Sequence, residues 1–99
     1  MSAELYEQIT ALIDASDDDL DRIERTLTDG YAHALTLEAE KWRLEKRMRE
    51  VAESLDGSEP GDLTQELTSL VRRLDGNAGE LSELRGRLGD LRRHADALR

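Results

Sequence analysis

The feature that most constrains this chain is a repeat of mostly apolar residues spaced alternately three and four apart. The spacing holds without a slip from Leu63 to Leu98, and an earlier run keeps it from Leu20 to Leu55. Such residues occupy positions a and d of a heptad written a to g, which face a partner helix in a coiled coil. We call these a and d positions the seam. The seam predicts two long helices packed side by side.

The stretch between the two runs predicts a short connection. Residues 56–62, DGSEPGD, contain two glycines and the only proline of the chain. Asp62, with Gln65 three residues later, is typical of a helix start. Because a connection of this length favours neighbouring helices, we predict an all-α, antiparallel coiled-coil hairpin with helices at 17–55 and 63–98.

The polar residues of the seam give a check on register. Folding at the connection sets Leu55 opposite Leu63, and every other seam position then meets a seam position. Lys41 is the only charged residue in the first run, Asn77 is the only polar residue in the second, and the two face each other. We predict that Lys41 and Asn77 form a polar layer that fixes the register of the hairpin.

Residues 1–15 have no partner in this hairpin, yet they are amphipathic. One face of a short helix carries Leu5, Ile9, Leu12 and Ile13. Either Ser16 caps the next helix and residues 1–15 fold back along it, or the heptad runs straight through and the overhang needs another chain. We prefer a break at 14–17.

The last helix carries four glycines, at 76, 79, 86 and 89, all outside the seam. Glycine costs about 1 kcal/mol relative to alanine inside a helix. One interpretation is a face of small side chains, including Gly79 and Gly86, that receives another helix. The other is a turn at DGNAGE, residues 75–80. The unbroken seam spacing favours a continuous helix, with a kink at 75–79 left open.

An outer row of apolar residues on the first long helix lies off the seam and includes Trp42. The first segment spans only ~18 Å at 1.5 Å per residue, so it does not reach Trp42. We therefore predict a homodimer in which two hairpins form a four-helix bundle. The predicted interface residues are Leu5, Ile9, Leu12, Ile13, Tyr31, Leu35, Trp42, Gly79 and Gly86.

The sequence offers little for catalysis or for binding a cofactor. There is no cysteine, and the only histidines are His33 and His94, which the hairpin register separates by roughly 13 Å. The spacings typical of metalloproteases, phosphate loops and nucleophile elbows are missing. We expect no enzyme activity, no metal and no cofactor.

The net charge and the hydropathy of the chain disfavour two classes of partner, nucleic acids and membranes. The net charge of -9 disfavours nucleic acid, which requires a basic footprint. The basic residues near the end of the chain are Arg85, Arg87, Arg92, Arg93 and Arg99, and the register places an acidic segment beside them. No apolar run approaches the ~20 residues of a membrane span. We expect no membrane association and a cytoplasmic location.

These observations favour a non-enzymatic coiled-coil interaction or scaffold module that acts as a homodimer. Two alternatives stay open. One is a small secreted or adaptor hairpin that pairs with a different helical protein, and it would be monomeric alone. The other is a weak nucleic-acid binder that uses the C-terminal arginines, and its affinity would fall steeply with salt.

Overall fold

The computed structural model describes residues 3–14, 18–54 and 60–99. It contains the helices α1 (Ala3–Asp14), α2 (Leu20–Ser54) and α3 (Pro60–Leu98), and no strand lies in these ranges. Helices α2 and α3 pack against each other, and α1 packs against both. The molecule measures 59 × 17 × 17 Å. The all-α hairpin with a short N-terminal helix is thus confirmed.

The seam forms the contact between α2 and α3. Every described seam residue is buried or half-buried except Lys41 and Leu98. Burial of these side chains, at about 25 cal/mol per Å² of apolar surface, is the main term that stabilises a hairpin of this kind. Leu55, which the sequence places opposite Leu63, lies outside the described residues.

Ion pairs across both flanks of the seam show that the register is constant. On each flank the two pairs are separated by two heptads on α2 and by two heptads on α3, as an antiparallel pair requires. The e positions pair Glu24 with Arg99 and Glu38 with Arg85, and the g positions pair Arg47 with Glu66 and bring His33 Nε2 within 3.5 Å of Glu80. Exposed pairs contribute little stability. Their value here is that they place Lys41 level with Asn77.

The two long helices begin at other residues than the sequence predicts. Helix α2 begins at Leu20 rather than residue 17, and Asp19 caps it, because Asp19 Oδ1 accepts a hydrogen bond from the Arg22 backbone N–H at 3.2 Å. The predicted cap, Ser16, lies outside the described residues. Helix α3 begins at Pro60, three residues early, since proline at a first helical position requires no N–H partner.

Helix α3 runs without interruption from Pro60 to Leu98. The alternative of a turn at residues 75–80 is therefore wrong. A continuous helix is stable here because the glycines of this stretch lie outside the seam. Leu74 and Leu81 therefore still pack on α2. Tertiary packing of an apolar face outweighs the unfavourable helix propensity of glycine.

Helix α1 folds back onto the open end of the hairpin, where α2 begins and α3 ends. Ile9 and Leu12 are 0% and 2% exposed, and they join a core with residues of α2 and α3 such as Ile23 and Leu84. Asp18 and Asp19 lie outside any helix, so the alternative of one helix running straight through is wrong. The fold-back gives the apolar face of α1 a partner within its own chain.

The core consists of two clusters, one at each end of the hairpin. The first holds the buried residues of α1 together with the seam as far as Leu37 and Leu81. The second, nearer the connection, holds Leu44, Val51 and Leu70 with half-buried neighbours. Lys41 and Asn77 lie between the two clusters, so this layer divides the core.

Candidate protein-interaction surface

Among the described residues, the large exposed apolar side chains are Val71 and Leu98 on α3 and a row on α2 that we call the outer stripe, made of Tyr31, Leu35 and Trp42. Their exposed fractions are 41%, 66% and 58%. Tyr31 occupies an e position, and Leu35 and Trp42 occupy b positions of the heptad. In a four-helix bundle, e and b positions on one side of the seam point toward the second neighbouring helix. The outer stripe therefore has the placement of an interface.

Helix α1 covers the opposite flank of the hairpin. The Tyr6 hydroxyl donates to the backbone oxygen of Glu80 at 3.4 Å, and Arg87 donates to the Thr10 hydroxyl. Glu80 and Arg87 both occupy g positions. Because g and e positions lie on opposite sides of the seam, α1 leaves the outer stripe uncovered.

The Trp42 ring makes a cation–π contact with Lys46. The Lys46 ammonium lies 5.5 Å from the centroid of the ring, a cation–π geometry. At an exposed site such a contact contributes about 0.5–1 kcal/mol. It leaves Trp42 more than half exposed, so most of the apolar surface of the ring faces solvent.

On the same side of the seam, α3 presents what we call the small-residue face, made of Ala78, Ser82 and Gly89. These residues occupy e and b positions, as the outer stripe does on α2. Ala78 and Ser82 are exposed and Gly89 is half-buried. A large row and a small row thus lie side by side on one face of the hairpin.

The charges beside the two rows have opposite signs. The charged e positions of α2 are all acidic, and those of the described part of α3 are all arginine. The acids are Glu24, Glu38 and Glu45, and the arginines are Arg85, Arg92 and Arg99. Within the chain, Glu38 pairs with Arg85 and Glu24 pairs with Arg99. The face therefore combines apolar, small and oppositely charged strips.

The predicted glycine positions on α3 are open. A Cβ added at Gly79 or Gly86 meets no atom within 4 Å. Both occupy f positions, at the outer edge of the small-residue face. Gly86 also borders a shallow groove against α1 that includes Thr10 and Ile13. Part of this open surface is therefore shared with the chain's own first helix.

The predicted interface residues of the first segment have another role. Ile9 and Leu12 are buried inside the chain, and Leu5 and Ile13 are half-buried against the same core. Ile9 and Leu12 thus have almost no surface left for a second chain, whereas Leu5 and Ile13 keep part of theirs exposed. The reason is the fold-back of α1, which already buries the amphipathic face.

The predicted polar layer is only half correct. Asn77 is 6% exposed and its Nδ2 donates to the Leu37 backbone oxygen at 2.9 Å. Lys41, which the sequence places in the same layer, is exposed. A lysine at a seam position extends its long side chain so that the ammonium stays in water. Asn77 Oδ1 is buried and accepts no hydrogen bond from the described residues.

Two structural features were not predicted from the sequence. Gly30 is a seam residue, and a Cβ added there would overlap Leu88 Cδ2. The signal was present, since glycine in a seam favours close approach of the opposite helix. The second feature is the junction of the three helices, where the ring of Tyr6 packs under Arg87, with 5.6 Å between ring centroid and guanidinium carbon. Nothing in the heptad pattern reveals this pairing.

The junction has one perturbed acid. Burial raises the pKa of the Tyr6 hydroxyl above its ordinary value of 10.0, the Glu80 and Glu83 carboxylates raise it further, and Arg87 opposes them. His33 Nε2 lies 3.5 Å from Glu80 Oε2 in the same region. Within the described ranges, no three His, Asp or Glu side chains are grouped so that they could hold a metal ion.

Other surfaces are less suited to a ligand. One open depression is bordered by Asp21, Glu24, Arg25, Thr28 and Asp29, all on α2. Such a depression along one helix holds no enclosed cavity. Among the C-terminal arginines, Arg85, Arg87, Arg93 and Arg99 each pair with a carboxylate of the chain. These pairs reduce the positive field available to a phosphate backbone.

Comparison with known proteins gave no match, whether with protein families, with curated proteins or with solved structures. A search of the described helices for a membrane span also found none with the required length and hydropathy. The surface just described is therefore the basis for any statement about function.

Proposed function

We propose that this chain is a non-enzymatic protein-interaction module that associates with a second copy of itself through the face bearing the outer stripe. The observation that carries the proposal is the exposure of Tyr31, Leu35 and Trp42 on the flank that α1 leaves uncovered. Aromatic residues, tryptophan above all, are enriched at the centres of protein interfaces.

The expected affinity follows from the size of the stripe. Burying an exposed side chain of this size contributes about 1.5–3 kcal/mol, and these are half-exposed, so about half of that remains available for each. A two-fold interface uses every residue twice. The sum, about 6 kcal/mol, is comparable with the cost of association, about 4–15 kcal/mol. The stripe alone therefore offsets only the lower part of this cost, and we expect a weak dimer to which the neighbouring contacts of the same face also contribute.

The test is the absolute mass in solution, measured by light scattering over a wide concentration series. We expect the wild type to dimerise and Trp42→Ala to weaken the dimer at least tenfold, because truncating a central interface tryptophan costs about 2 kcal/mol or more. Arg43→Ala is the matched control, since Arg43 is the exposed neighbour of Trp42 on another face of α2. It should dimerise as the wild type does.

A wild type that stays monomeric at every concentration would overturn the homodimer. Binding to a different helical protein through the same stripe would then become the leading proposal. Equal weakening by Trp42→Ala and Arg43→Ala would place the interface elsewhere on the chain. The cytoplasmic location expected from the sequence stays a prediction.

A further inference from the structure

We propose that the two copies pack with α2 of each against α3 of the other, around a two-fold axis parallel to the helices, so that the outer stripe of one copy covers the small-residue face of its partner. This inference rests on the homodimer proposed above. It names the arrangement of that interface, which exposure of the stripe alone does not decide.

The first argument is the match of side-chain size at equal height along the hairpin. Along the e and b positions, α2 presents Tyr31, Leu35, Glu38 and Trp42, and α3 presents Gly89, Arg85, Ser82, Ala78 and Asp75 in the same direction, with Trp42 level with the stretch between Ala78 and Asp75. The register places Trp42 level with residue 76 and Tyr31 level with residue 87. Each large apolar residue of α2 is therefore level with a small residue of α3, within about one helical turn.

An axis parallel to the helices preserves height. A residue of α2 then meets the residues of the partner's α3 that lie at its own level. The Trp42 ring would rest near the partner's Ala78, and the Tyr31 ring near the partner's Gly89. Large side chains opposite small ones allow two helices to interdigitate at native packing density.

The rival arrangement uses a two-fold axis perpendicular to the helices. It would place α2 against α2 and α3 against α3, both antiparallel. Large residues would then oppose large residues on one side of the bundle. The small residues would oppose small ones on the other, so the two helix pairs would require different separations.

The second argument is charge. The charged e positions are acidic on α2 and basic on α3, with Glu24 close to the level of Arg92 and Glu38 nearest in level to Arg85. Packing α2 on the partner's α3 brings acids toward arginines. Packing α2 on α2 brings acids toward acids, which is unfavourable across an interface. Size and charge thus favour the same arrangement.

The test is the distance between spin labels on single cysteines, which the cysteine-free chain accepts without background labelling. Glu53→Cys lies exposed near the connection end of α2, and Ala97→Cys lies exposed near the other end of the hairpin. With helices about 10 Å apart, the proposed arrangement puts either pair of labels within about 30 Å. The rival arrangement puts them at opposite ends, about 50 Å apart at 1.5 Å per residue.

The outcomes separate the two proposals. Distances near 30 Å at both sites support the arrangement. Distances near 50 Å at both sites overturn it and leave the homodimer intact. A monomer, with no measurable intermolecular distance, overturns the proposed function itself.

A size test gives a second, independent readout. Ser82→Leu would fill the small-residue face and should weaken dimerisation at least tenfold, whereas Gly76→Leu, at a c position on the other side of α3, should leave it unchanged. Both sites are exposed in the single chain, so folding is preserved in both variants. Equal dimerisation of the Ser82→Leu variant and the wild type would overturn the arrangement.

Discussion

The two ends of the hairpin follow the same heptad repeat but bury it to different extents. At the open end, α1 covers one flank, and the core cluster contains eleven buried residues. At the connection end, where the described chain has two helices, the cluster contains three buried residues, and Met48, Leu63, Leu67 and Leu74 are only partly buried. The two-helix end therefore leaves Leu63, Leu67 and Leu74 partly exposed although Leu44 and Leu70 are buried, whereas the end with the third helix buries nearly all of its seam.

The comparison also explains why the outer stripe lies where it does. Helix α1 covers the g flank of the open end, borders Ser82 across a shallow groove, and leaves Tyr31, Leu35 and Trp42 uncovered. Tyr31 and Leu35 thus lie beside a well-packed core but on its uncovered side, and Trp42 lies beside the polar layer where that core ends. A second hairpin on the e flank would cover the apolar residues of that side, as α1 covers those of the g flank.

The largest expected effect compares two leucines on either side of Asn77. Leu81 and Leu74 both occupy a positions, one heptad apart, but Leu81 is 4% exposed in the first cluster and Leu74 is half-buried beside the second. We expect Leu81→Ala to lower the free energy of unfolding by about 3 kcal/mol and Leu74→Ala by about half as much, since the loss scales with burial and cavity size. Urea unfolding followed by circular dichroism measures both.

These two variants are each other's control, because their helix, heptad position and chemistry are the same. Equal losses would mean that the two ends are packed equally well in solution. The contrast between a three-helix end and a two-helix end would then have no energetic meaning.

The polar layer that separates the ends provides the next test. Asn77→Leu removes a buried acceptor that has no partner in the described chain and joins the two apolar clusters. The Leu37 carbonyl keeps its bond within α2, so little is left unsatisfied. We expect the melting temperature to rise, with a gain of about 1 kcal/mol.

Asn77→Ala is the control for the loss of the amide alone. It removes the same hydrogen bond without filling the space, and we expect it to destabilise the chain by about 1 kcal/mol. A Leu variant less stable than the wild type would show that the bond from Asn77 to Leu37 contributes more than the apolar burial that replaces it.

Two glycines sharpen the contrast between seam and surface. Gly30→Ala gains helix propensity, but its Cβ requires the buried Leu88 to move, and overpacking of this kind costs about 1–3 kcal/mol. We expect a net loss of about 1 kcal/mol. Gly76→Ala meets open space and should gain up to about 1 kcal/mol. Thermal unfolding of both variants measures these changes in stability. If Gly30→Ala stabilised the chain, the helices would have room for an extra methyl group beside Leu88.

The hairpin was predictable from the sequence because the a and d spacing is a one-dimensional signal with a direct physical consequence. A residue such as Leu44 lies in the seam because every third or fourth residue returns to the same face. Exposure of Trp42 followed from the same logic, since a b position points away from the opposite helix. Within these limits, heptad position alone identified the candidate surface.

The position of α1 was harder to derive, because it depends on contacts that sequence spacing does not encode. The amphipathic face of Ile9 and Leu12 predicts that another apolar surface covers it. The spacing does not tell whether that surface belongs to a second chain or to the same hairpin. Specific side chains of the junction, Tyr6 against Glu80 and Arg87, accompany the intramolecular packing. Lys41 was assigned to the core for a related reason, since heptad position cannot tell a buried lysine from one whose ammonium reaches solvent.

The smallest expected effect is the pH dependence of the junction that holds α1. Burial and the Glu80 and Glu83 carboxylates raise the pKa of Tyr6 in the folded chain above its ordinary value of 10.0, with Arg87 acting in the opposite direction. A group whose pKa is raised by folding contributes stability that is present below its unfolded pKa and is lost as the pH rises through the folded value. Tyr6 therefore stabilises the chain at neutral pH, and this stabilisation is lost progressively as the pH rises above 10.0 through the higher pKa of the folded chain.

Tyr6→Phe isolates this contribution, because it removes the hydroxyl that donates to Glu80 and keeps the ring that packs under Arg87. We expect the variant to be less stable than the wild type by about 0.5 kcal/mol at pH 7, given the 3.4 Å length of the bond. The difference should shrink as the pH rises above 10.0 through the raised pKa of Tyr6, because a phenolate is repelled by the neighbouring carboxylates. Urea unfolding of both proteins at pH 7, 9 and 11 measures it. A difference that stays constant with pH would mean that Tyr6 titrates as it does in the unfolded chain, and that α1 does not hold it against the g flank of the open end in solution.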